Sequence, residues 1–172
     1  MNKNIRNVPT IIEFFMNNKG KMMYYDDNNI EIEIKKIAVY NGYIIVELIT
    51  QERIKIECNE KLSMKLYVLN CDCDENFNYK FALRKENINE GQVYRNAKIC
   101  EEFIHDYYGY LVDDTHEAKI SYCMGVHDSL FCSGIYNDKP YSFEVPIDEE
   151  TCTLKGFKLV YAGNGRFNLK KD

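Results

Sequence analysis

Cysteines, histidines and clustered carboxylates are the residues of this chain best suited to chemistry, and they concentrate in three places. The first is Cys71-Asp72-Cys73-Asp74-Glu75, which combines two kinds of metal-binding side chain. A structural zinc site needs cysteines separated by about two to four residues and a second pair of ligands. This spacing is tighter, and no Cys/His pair of suitable spacing follows it. We therefore interpret the segment as a solvated turn and expect no cofactor, with metal binding or redox chemistry at Cys71 and Cys73 as the alternative.

The second place holds the residue types of a nucleophilic dyad. Cys123 or Cys132 with His127 and Asp128 provides a thiol, a base and a carboxylate. However, His127 lies in a predicted turn, and no nucleophile or protease-cysteine motif surrounds these residues. Alternation predicts that Ile120, Tyr122 and Met124 point inward, which directs Cys123 to the opposite face. The sequence therefore favours a packed cysteine beside a turn histidine, in a protein that is not an enzyme.

The third place is an acidic stretch on and after a predicted helix. Residues 99–118 contain six carboxylates and no Lys or Arg. On a helix, residues four apart lie on the same side, which groups Glu101 with His105 and Glu102 with Asp106. Such a face can steer a basic protein partner towards it. A solvated helix surface, or a carboxylate–histidine metal site that includes His116, are the alternatives. The predicted binding face consists of Glu101, Glu102, His105, Asp106, Tyr110, Asp113, Asp114 and Glu117.

The charge of the whole chain belongs to its second half. The 172 residues include 22 Lys and Arg against 27 Asp and Glu, a net charge of -5. Residues 1–86 carry 13 basic and 13 acidic groups, whereas residues 87–172 carry 9 and 14. Affinity for nucleic acid comes largely from Lys and Arg, so direct nucleic-acid binding is not expected. The 14 tyrosines suit a protein interface, where tyrosine is enriched, and A/T-rich codon usage is the alternative explanation for many of them.

Targeting signals and disulfides are not expected either. The first seven residues are polar, and no apolar run approaches the roughly 7–15 residues of a secretory signal or the roughly 18 of a membrane span. The seven cysteines are odd in number and irregularly spaced, unlike a secreted disulfide framework. We therefore expect a cytoplasmic protein with free thiols and no membrane association.

The elements that must position these residues begin with a short helix and a series of strands. The helix starts at Pro9 or Thr10 and ends in the segment 17–20. Alternation over residues 30–34 slips at Lys35-Lys36, which predicts a β-bulge. Asn41-Gly42 predicts a hairpin that pairs Lys36 with Glu47 and Val39 with Ile44. Further strands are expected in residues 53–57, 62–68 and 77–83.

After a polar loop at residues 86–92, the pattern repeats. Apolar residues at helical spacing predict a second, amphipathic helix that extends from about Asn96 to Leu111. Strands are expected in residues 120–124, 130–136 and 141–147, followed by a hairpin through Gly163-Asn164-Gly165.

Two organisations fit this order of elements. The helix-then-strands order occurs in residues 1–86 and again in 92–172, as in a loose duplication, although no residue-level repeat is apparent. We favour a single compact α+β domain over residues 1–172. It consists of mostly antiparallel β meanders in a curled sheet or partly closed barrel, with the N-terminal and central helices packed on the sheet.

These features predict a small non-catalytic binding or inhibitor protein that docks through its acidic, tyrosine-rich face. Asn, Lys, Ile and Tyr, which have A/T-rich codons, are abundant, as is typical of a low-GC bacterium or its phage. In type, although not in motif, the chain resembles bacterial toxin-immunity proteins and phage inhibitors of host defence. The alternative is a small-ligand-binding domain, or a small Cys/His- or metal-dependent enzyme. Its pocket would lie in the curled sheet, with candidate lining residues His105, His116, His127 and Cys123.

Overall fold

The computed structural model describes residues 3–107 and 110–172. The chain divides into two compact units, Met1–Asn87 and Ile88–Asp172, which we call unit 1 and unit 2. Over these described residues, each unit contains one helix and one mixed sheet, so the α+β class is confirmed. Over the described residues neither sheet closes into a barrel. Neither described helix has the length and apolar character needed to cross a membrane.

Unit 1 is a seven-stranded sheet with one helix. The sheet order is β1-β6-β7-β2-β3-β4-β5, and β2 lies parallel to β7. Helix α1 packs near β3 and buries Val8, Ile11 and Phe15. The elements are β1 (Lys3–Ile5), α1 (Val8–Asn17), β2 (Met22–Tyr25), β3 (Glu31–Tyr40), β4 (Tyr43–Leu48), β5 (Arg53–Glu57), β6 (Tyr67–Cys73) and β7 (Tyr79–Lys85).

Unit 2 is an eight-stranded sheet, also with one helix. The sheet order is β13-β12-β11-β10-β9-β15-β14-β8, and β9 lies parallel to β15. Helix α2 packs on β10 and buries Ala97, Cys100 and Ile104. The elements are β8 (Val93–Tyr94), α2 (Ala97–Asp106), β9 (Leu111–Asp113), β10 (Ala118–Val126), β11 (Ser129–Tyr136), β12 (Lys139–Asp148), β13 (Thr153–Leu154), β14 (Phe157–Tyr161) and β15 (Phe167–Lys171).

The two units have the same topology. With the short strand β13 set aside, the strands of unit 2, taken in chain order, occupy the sheet positions of the strands of unit 1. In each unit the strand before the helix lies at the sheet edge, beside the penultimate strand. The strand after the helix pairs in parallel with the last strand. Each unit is therefore a copy of one connectivity, and positions in one can be compared with positions in the other.

An Arg-Asn dipeptide marks the start of the helix in both units. Asn7 and Asn96 are the N-caps, and their side chains accept hydrogen bonds from the backbone N–H groups of Thr10 and Lys98. Satisfying these N–H groups stabilises a helix, because the first turn has no internal acceptor for them.

The arginines next to these caps are also equivalent. The carbonyl of Arg6 accepts from the N–H of Met64, and that of Arg95 from Leu154. The Arg6 guanidinium forms an ion pair with Glu86, and that of Arg95 with Asp172 at 2.8 Å. Glu86 and Asp172 each follow the last strand of their unit. Each arginine therefore ties the start of the helix to the end of the same unit.

A short residue repeat accompanies the shared topology. Arg6-Asn7 and Glu13-Phe14 in unit 1 recur, at the same spacing, as Arg95-Asn96 and Glu102-Phe103 in unit 2. The sequence alone did not reveal this repeat, because two separated dipeptides in a divergent background become recognisable only once the helices are aligned.

Local patterns predicted several elements correctly. The hairpin at Asn41-Gly42 has the predicted register, with Lys36 opposite Glu47 and Val39 opposite Ile44. The register shift between Ile34 and Lys36 confirms the bulge. The hairpin through residues 163–165 is also confirmed, since β14 and β15 pair across it.

The predicted second helix is too long. It ends at Asp106, with Tyr107 as its C-cap, and Leu111 belongs to β9. Residues 108 and 109 lie outside the described residues. Leu111 pairs in parallel with Phe167, and this pairing requires extended backbone at the position where the apolar spacing predicted helix.

A further expectation about the strands is wrong. Residues 62–66 do not belong to a strand, since Leu62 and Leu66 have φ values of 55° and 61°, and β6 begins at Tyr67. The sheets are mostly antiparallel, as predicted, and the parallel exceptions among the described strands are the pairs β2–β7 and β9–β15. These pairs join strands far apart in sequence, so short turns between neighbouring strands did not predict them.

The N-cap of α2 provides a test of the fold. We expect Asn96→Ala to lower the free energy of unfolding by about 1 kcal/mol, because two N–H groups of the first turn lose their acceptor. The measurement is chemical denaturation followed by circular dichroism. Asn96→Asp retains an acceptor and should preserve the stability; an equal loss in both variants would contradict a capping role.

Candidate functional site

The predicted acidic face is divided between different environments. On α2, Glu102 and His105 are exposed, whereas Glu101 and Asp106 are half-buried. The Glu101 carboxylate accepts a hydrogen bond from the backbone N–H of Gly125 on β10. His105 Nδ1 lies 3.2 Å from an Asp106 carboxylate oxygen. Glu101 therefore fastens the helix to the sheet, and Glu102 and His105 are the most exposed members of the helical part.

Two of the remaining acidic residues, Asp114 and Glu117, lie beside cations. Tyr110, Asp114 and Glu117 line a shallow depression together with Lys119 and Arg166. The Asp114 carboxylate also lies 3.6 Å from Lys170 Nζ. This part of the predicted face therefore carries charges of both signs.

Asp113 does not belong to any exposed face, since it is only 2% exposed. Its carboxylate accepts hydrogen bonds from the Tyr141 hydroxyl and the Thr115 backbone N–H, both at 3.0 Å. His116 Nδ1 lies 2.8 Å from the same hydroxyl and 3.5 Å from the carboxylate. Burial, together with the hydrogen bond to Asp113, raises the pKa of Tyr141 to about 12.

Sequence reasoning missed Tyr141 because it lies on β12, whereas its partner Asp113 lies on β9. In the sheet, β11 and β10 separate these two strands. The register partner of Tyr141, Gly134, gives no signal of this contact, because a side chain there would meet the backbone of Lys119 and Ile120 on β10. The three side chains of this cluster link β9, the turn after it and β12, and the buried carboxylate is satisfied within it.

The candidate dyad is not assembled. Cys123 and Cys132 are buried register partners whose sulfur atoms lie 3.6 Å apart. The hydrogen bond between the thiols and burial both raise the pKa of Cys123, which disfavours the thiolate nucleophile. His127 is exposed in a turn. Among the described residues, no group of three or more His, Cys, Asp and Glu is placed to hold a metal ion.

The expected orientation of β10 is correct for Ile120, which is buried, but wrong for the residues that follow it. Tyr122 and Met124 are exposed and Cys123 is buried, the reverse of the predicted alternation. A register shift between Ile120 and Tyr122 is the cause, because one extra residue moves every following side chain to the other face.

A groove with a largely apolar lining lies in unit 1, and we call it the aromatic groove. Its volume is about 740 Å³, and it contains Cys71 and Cys73, which lie on the same face of β6. The prediction of a solvated turn over residues 71–75 is wrong for its first three residues, because they belong to β6 and Cys71 is buried. The turn begins at Asp74, which accepts hydrogen bonds from the N–H groups of Asn76 and Asn78, and these bonds lower its pKa. The lining residues are Lys3, Ile5, Phe14, Asn17, Asn18, Cys71, Cys73, Asp74, Glu75, Phe77, Tyr79 and Phe81.

The same place in unit 2 is filled by tyrosine. Cys71 opposes Phe81 in unit 1, and the equivalent pair in unit 2 is Tyr161 and Phe167. The Tyr161 ring is buried, 5.0 Å from the Phe167 ring. Where Phe81 in unit 1 has a thiol opposite, its counterpart therefore has an aromatic ring.

A second tyrosine contributes to the filling. The helix C-cap is Asn18 in unit 1 and Tyr107 in unit 2. Tyr107 is buried, with its ring 4.8 Å from that of Phe167. Unit 1 therefore retains the frame but lacks both rings that occupy it in unit 2.

A longer hairpin adds a wall to the groove. Residues 72–80 separate the paired Cys71 and Phe81, whereas only residues 162–166 separate the equivalent pair in unit 2. The extension carries Phe77 and Tyr79, which are 79% and 53% exposed. Phe77 has a φ of 60°, a conformation that costs energy for a bulky residue and is found at ligand-binding segments. The groove therefore lacks the two aromatic rings that fill this space in unit 2, and it gains exposed aromatic side chains from the longer hairpin.

None of the expected pocket residues lines this groove. His105, His116, His127 and Cys123 all belong to unit 2. Sequence reasoning missed the groove because Cys71 and Asn18 make it by being small, and a small side chain leaves no periodic signal.

Comparison of the chain with protein-family models, with curated proteins and with solved structures found no match.

The Asp113 cluster provides a test in unit 2. We expect Tyr141→Phe to lower the free energy of unfolding by about 1–2 kcal/mol, because the buried carboxylate loses a donor. The measurement is urea denaturation at pH 7. Tyr136→Phe is the matched control, since it leaves the Asp113–Tyr141 hydrogen bond in place, and it should have little effect.

The pH dependence checks the same interaction. The raised pKa means that native Tyr141 keeps its proton after the unfolded chain has lost it, so this contribution to stability falls as the pH rises from 10 to about 12. Tyr141→Phe should therefore show a smaller alkaline decline than the wild type. Unchanged stability at pH 7 together with an unchanged alkaline decline would contradict the role of Tyr141.

Proposed function

We propose that this chain is a non-catalytic binding protein and that its ligand is a small molecule held in the aromatic groove of unit 1. The observation that carries the proposal is the comparison of the units. Two copies of one frame differ where Tyr161 and Tyr107 fill the core of unit 2 and Cys71 and Asn18 leave space in unit 1. A free-standing domain gains stability by filling such a space, so keeping it open serves a purpose other than stability.

Size and chemistry of the groove support the same function. Ligand sites in proteins typically have volumes of about 300–1,000 Å³, with mainly apolar and aromatic linings and a few polar groups. The groove of about 740 Å³ combines apolar side chains such as Phe14 and Phe81 with polar residues at Lys3, Asp74 and Glu75. The curled sheet that the sequence predicts would suit a pocket of this kind. We also propose that the protein is cytoplasmic.

A second candidate function is docking of unit 2 on a basic protein, in the manner of an inhibitor or immunity protein of bacterial or phage origin. The exposure of Glu102 and His105 on α2 favours it, as does the excess of acidic residues in this half of the chain. Opposite charges on the two partners would speed their encounter. The cations Lys119, Arg166 and Lys170 beside Asp114 and Glu117 make this surface less uniform than the sequence predicted.

Alkylation of Cys73 tests the groove. Cys73 lines it, whereas the exposed Cys152 lies in unit 2 and is an internal control. We expect that, in a screen of small molecules with iodoacetamide and mass spectrometry, some compounds slow the alkylation of Cys73 but not that of Cys152. Cys71→Tyr should abolish this protection, because it introduces the ring present at Tyr161.

Two results would contradict the groove as a binding site. One is a screen in which no compound protects Cys73. The other is protection that persists unchanged in Cys71→Tyr while circular dichroism shows that the variant is folded. Asn18→Tyr, which reproduces the ring of Tyr107, is a second filling variant in case Cys71→Tyr is unstable.

The repeat offers a matched pair of variants for the acidic surface. Glu102 on α2 and Glu13 on α1 occupy equivalent helix positions, and both are exposed. We expect Glu102→Lys to weaken capture of a basic partner by about threefold to tenfold, and Glu13→Lys to have no effect. Quantitative affinity capture from the cells of origin measures this. Glu101 is left unchanged because its carboxylate binds the Gly125 N–H; equal capture by both variants would rule out the acidic face.

A further inference from the structure

The chemistry of the ligand can be specified further, on the basis of the proposed function. In unit 2, the occupants of the equivalent space are phenol rings, and Tyr161 and Tyr107 both pack against Phe167 at ring-centroid distances of 5.0 and 4.8 Å. In unit 1, the corresponding Phe81 packs against Phe14 at 5.6 Å, with a tilt of 44°. Aromatic rings prefer offset or tilted partners at about 4.5–7 Å. A planar ring of the size of a tyrosine side chain therefore suits the space beside Phe81.

The mouth of the groove favours a positive charge on that ligand. Among the described residues, the lining includes the carboxylates of Asp74 and Glu75 and the ammonium group of Lys3. Asp74 already accepts hydrogen bonds from Asn76 and Asn78 in the turn, whereas Glu75 is exposed.

Exposed aromatic side chains accompany these carboxylates. Phe77 lies in the same hairpin, and Tyr79 stacks on Phe81 with centroids 6.2 Å apart and an interplanar angle of 19°. Aromatic faces together with a carboxylate are the surroundings that proteins use to hold an ammonium group. The mouth therefore combines the aromatic side chains and carboxylates that suit an ammonium group, and it lies next to a space that fits a planar aromatic ring.

We infer that the aromatic groove binds a small aromatic amine, with its ring beside Phe81 and Phe14 in the place equivalent to that of Tyr161, and its ammonium group at Glu75 and the exposed aromatic side chains. The ligand is a free molecule, because the groove is of small-molecule size. Binding requires no covalent step and no cofactor.

Three probe compounds separate the two parts of this inference. Tyramine carries both a phenol ring and an ammonium group, 2-cyclohexylethylamine keeps the charge without aromaticity, and 4-hydroxyphenylacetate keeps the ring with the opposite charge. Each is titrated into the full chain and followed by NMR chemical shifts and by alkylation of Cys73. We expect tyramine to bind about tenfold more tightly than either of the others.

Variants locate the binding. Cys71→Tyr, or Asn18→Tyr if the first is unstable, should abolish tyramine binding. Glu75→Gln, an exposed and isosteric change, should weaken tyramine about threefold to tenfold and leave 4-hydroxyphenylacetate unchanged or slightly stronger. Glu60→Gln, an exposed glutamate outside the groove, is the matched control and should change neither affinity.

The outcomes distinguish this inference from the proposed function. Equal affinity for 2-cyclohexylethylamine overturns the aromatic ring, and equal or higher affinity for 4-hydroxyphenylacetate overturns the positive charge. If either of them binds and the binding is lost in Cys71→Tyr, the groove remains a small-molecule site. Failure of all three probes overturns the aromatic amine, whereas the proposed function fails only if the wider alkylation screen also finds no protecting compound.

Discussion

An arginine between the first strand and the helix organises each unit. In unit 1, the Arg6 carbonyl fixes the segment around Met64, its guanidinium pairs with Glu86 after the last strand, and the adjacent Asn7 caps the helix. Arg95 and Asn96 make the same connections in unit 2. In each unit, one dipeptide connects the start of the helix, the segment before the penultimate strand and the residue after the last strand. The remaining residues can therefore diverge while the strand order is kept. The different fillings of the two units depend on this shared frame.

Features that depend on neighbouring residues could be read from the sequence. The hairpin at Asn41-Gly42, its register and the bulge at Lys35-Lys36 all follow from turn chemistry and alternation within a few residues. Parallel pairing of β2 with β7 could not be predicted, because its partners are distant in sequence and no short turn connects them. The helical spacing that included Leu111 was misleading for a related reason. An apolar residue suits a helix or a strand equally, and the pairing of Leu111 with Phe167 fixes it in a strand.

The candidate sites show the same division. The carboxylates on α2 were visible as a charge pattern, but the burial of Asp113 depends on Tyr141, which comes from another strand. The groove exists because the side chains of Cys71 and Asn18 are small. This becomes apparent only when they are compared with their counterparts in unit 2, Tyr161 and Tyr107. Unit 2 therefore serves as a reference structure for unit 1, because it shows the same space when it is filled. The residue pattern of unit 1 alone cannot show this.

The edge strand β1 links the groove to the beginning of the chain. It has three residues and pairs only with β6, and two of those residues, Lys3 and Ile5, line the groove. Short edge strands have few hydrogen bonds to hold them, and an exposed edge can pair with other chains. Under the proposed function, a molecule bound in the groove would contact both β1 and the β6–β7 hairpin and would stabilise the docked strand by mass action. An occupied groove would then make this edge of the sheet less open to strand exchange and self-association.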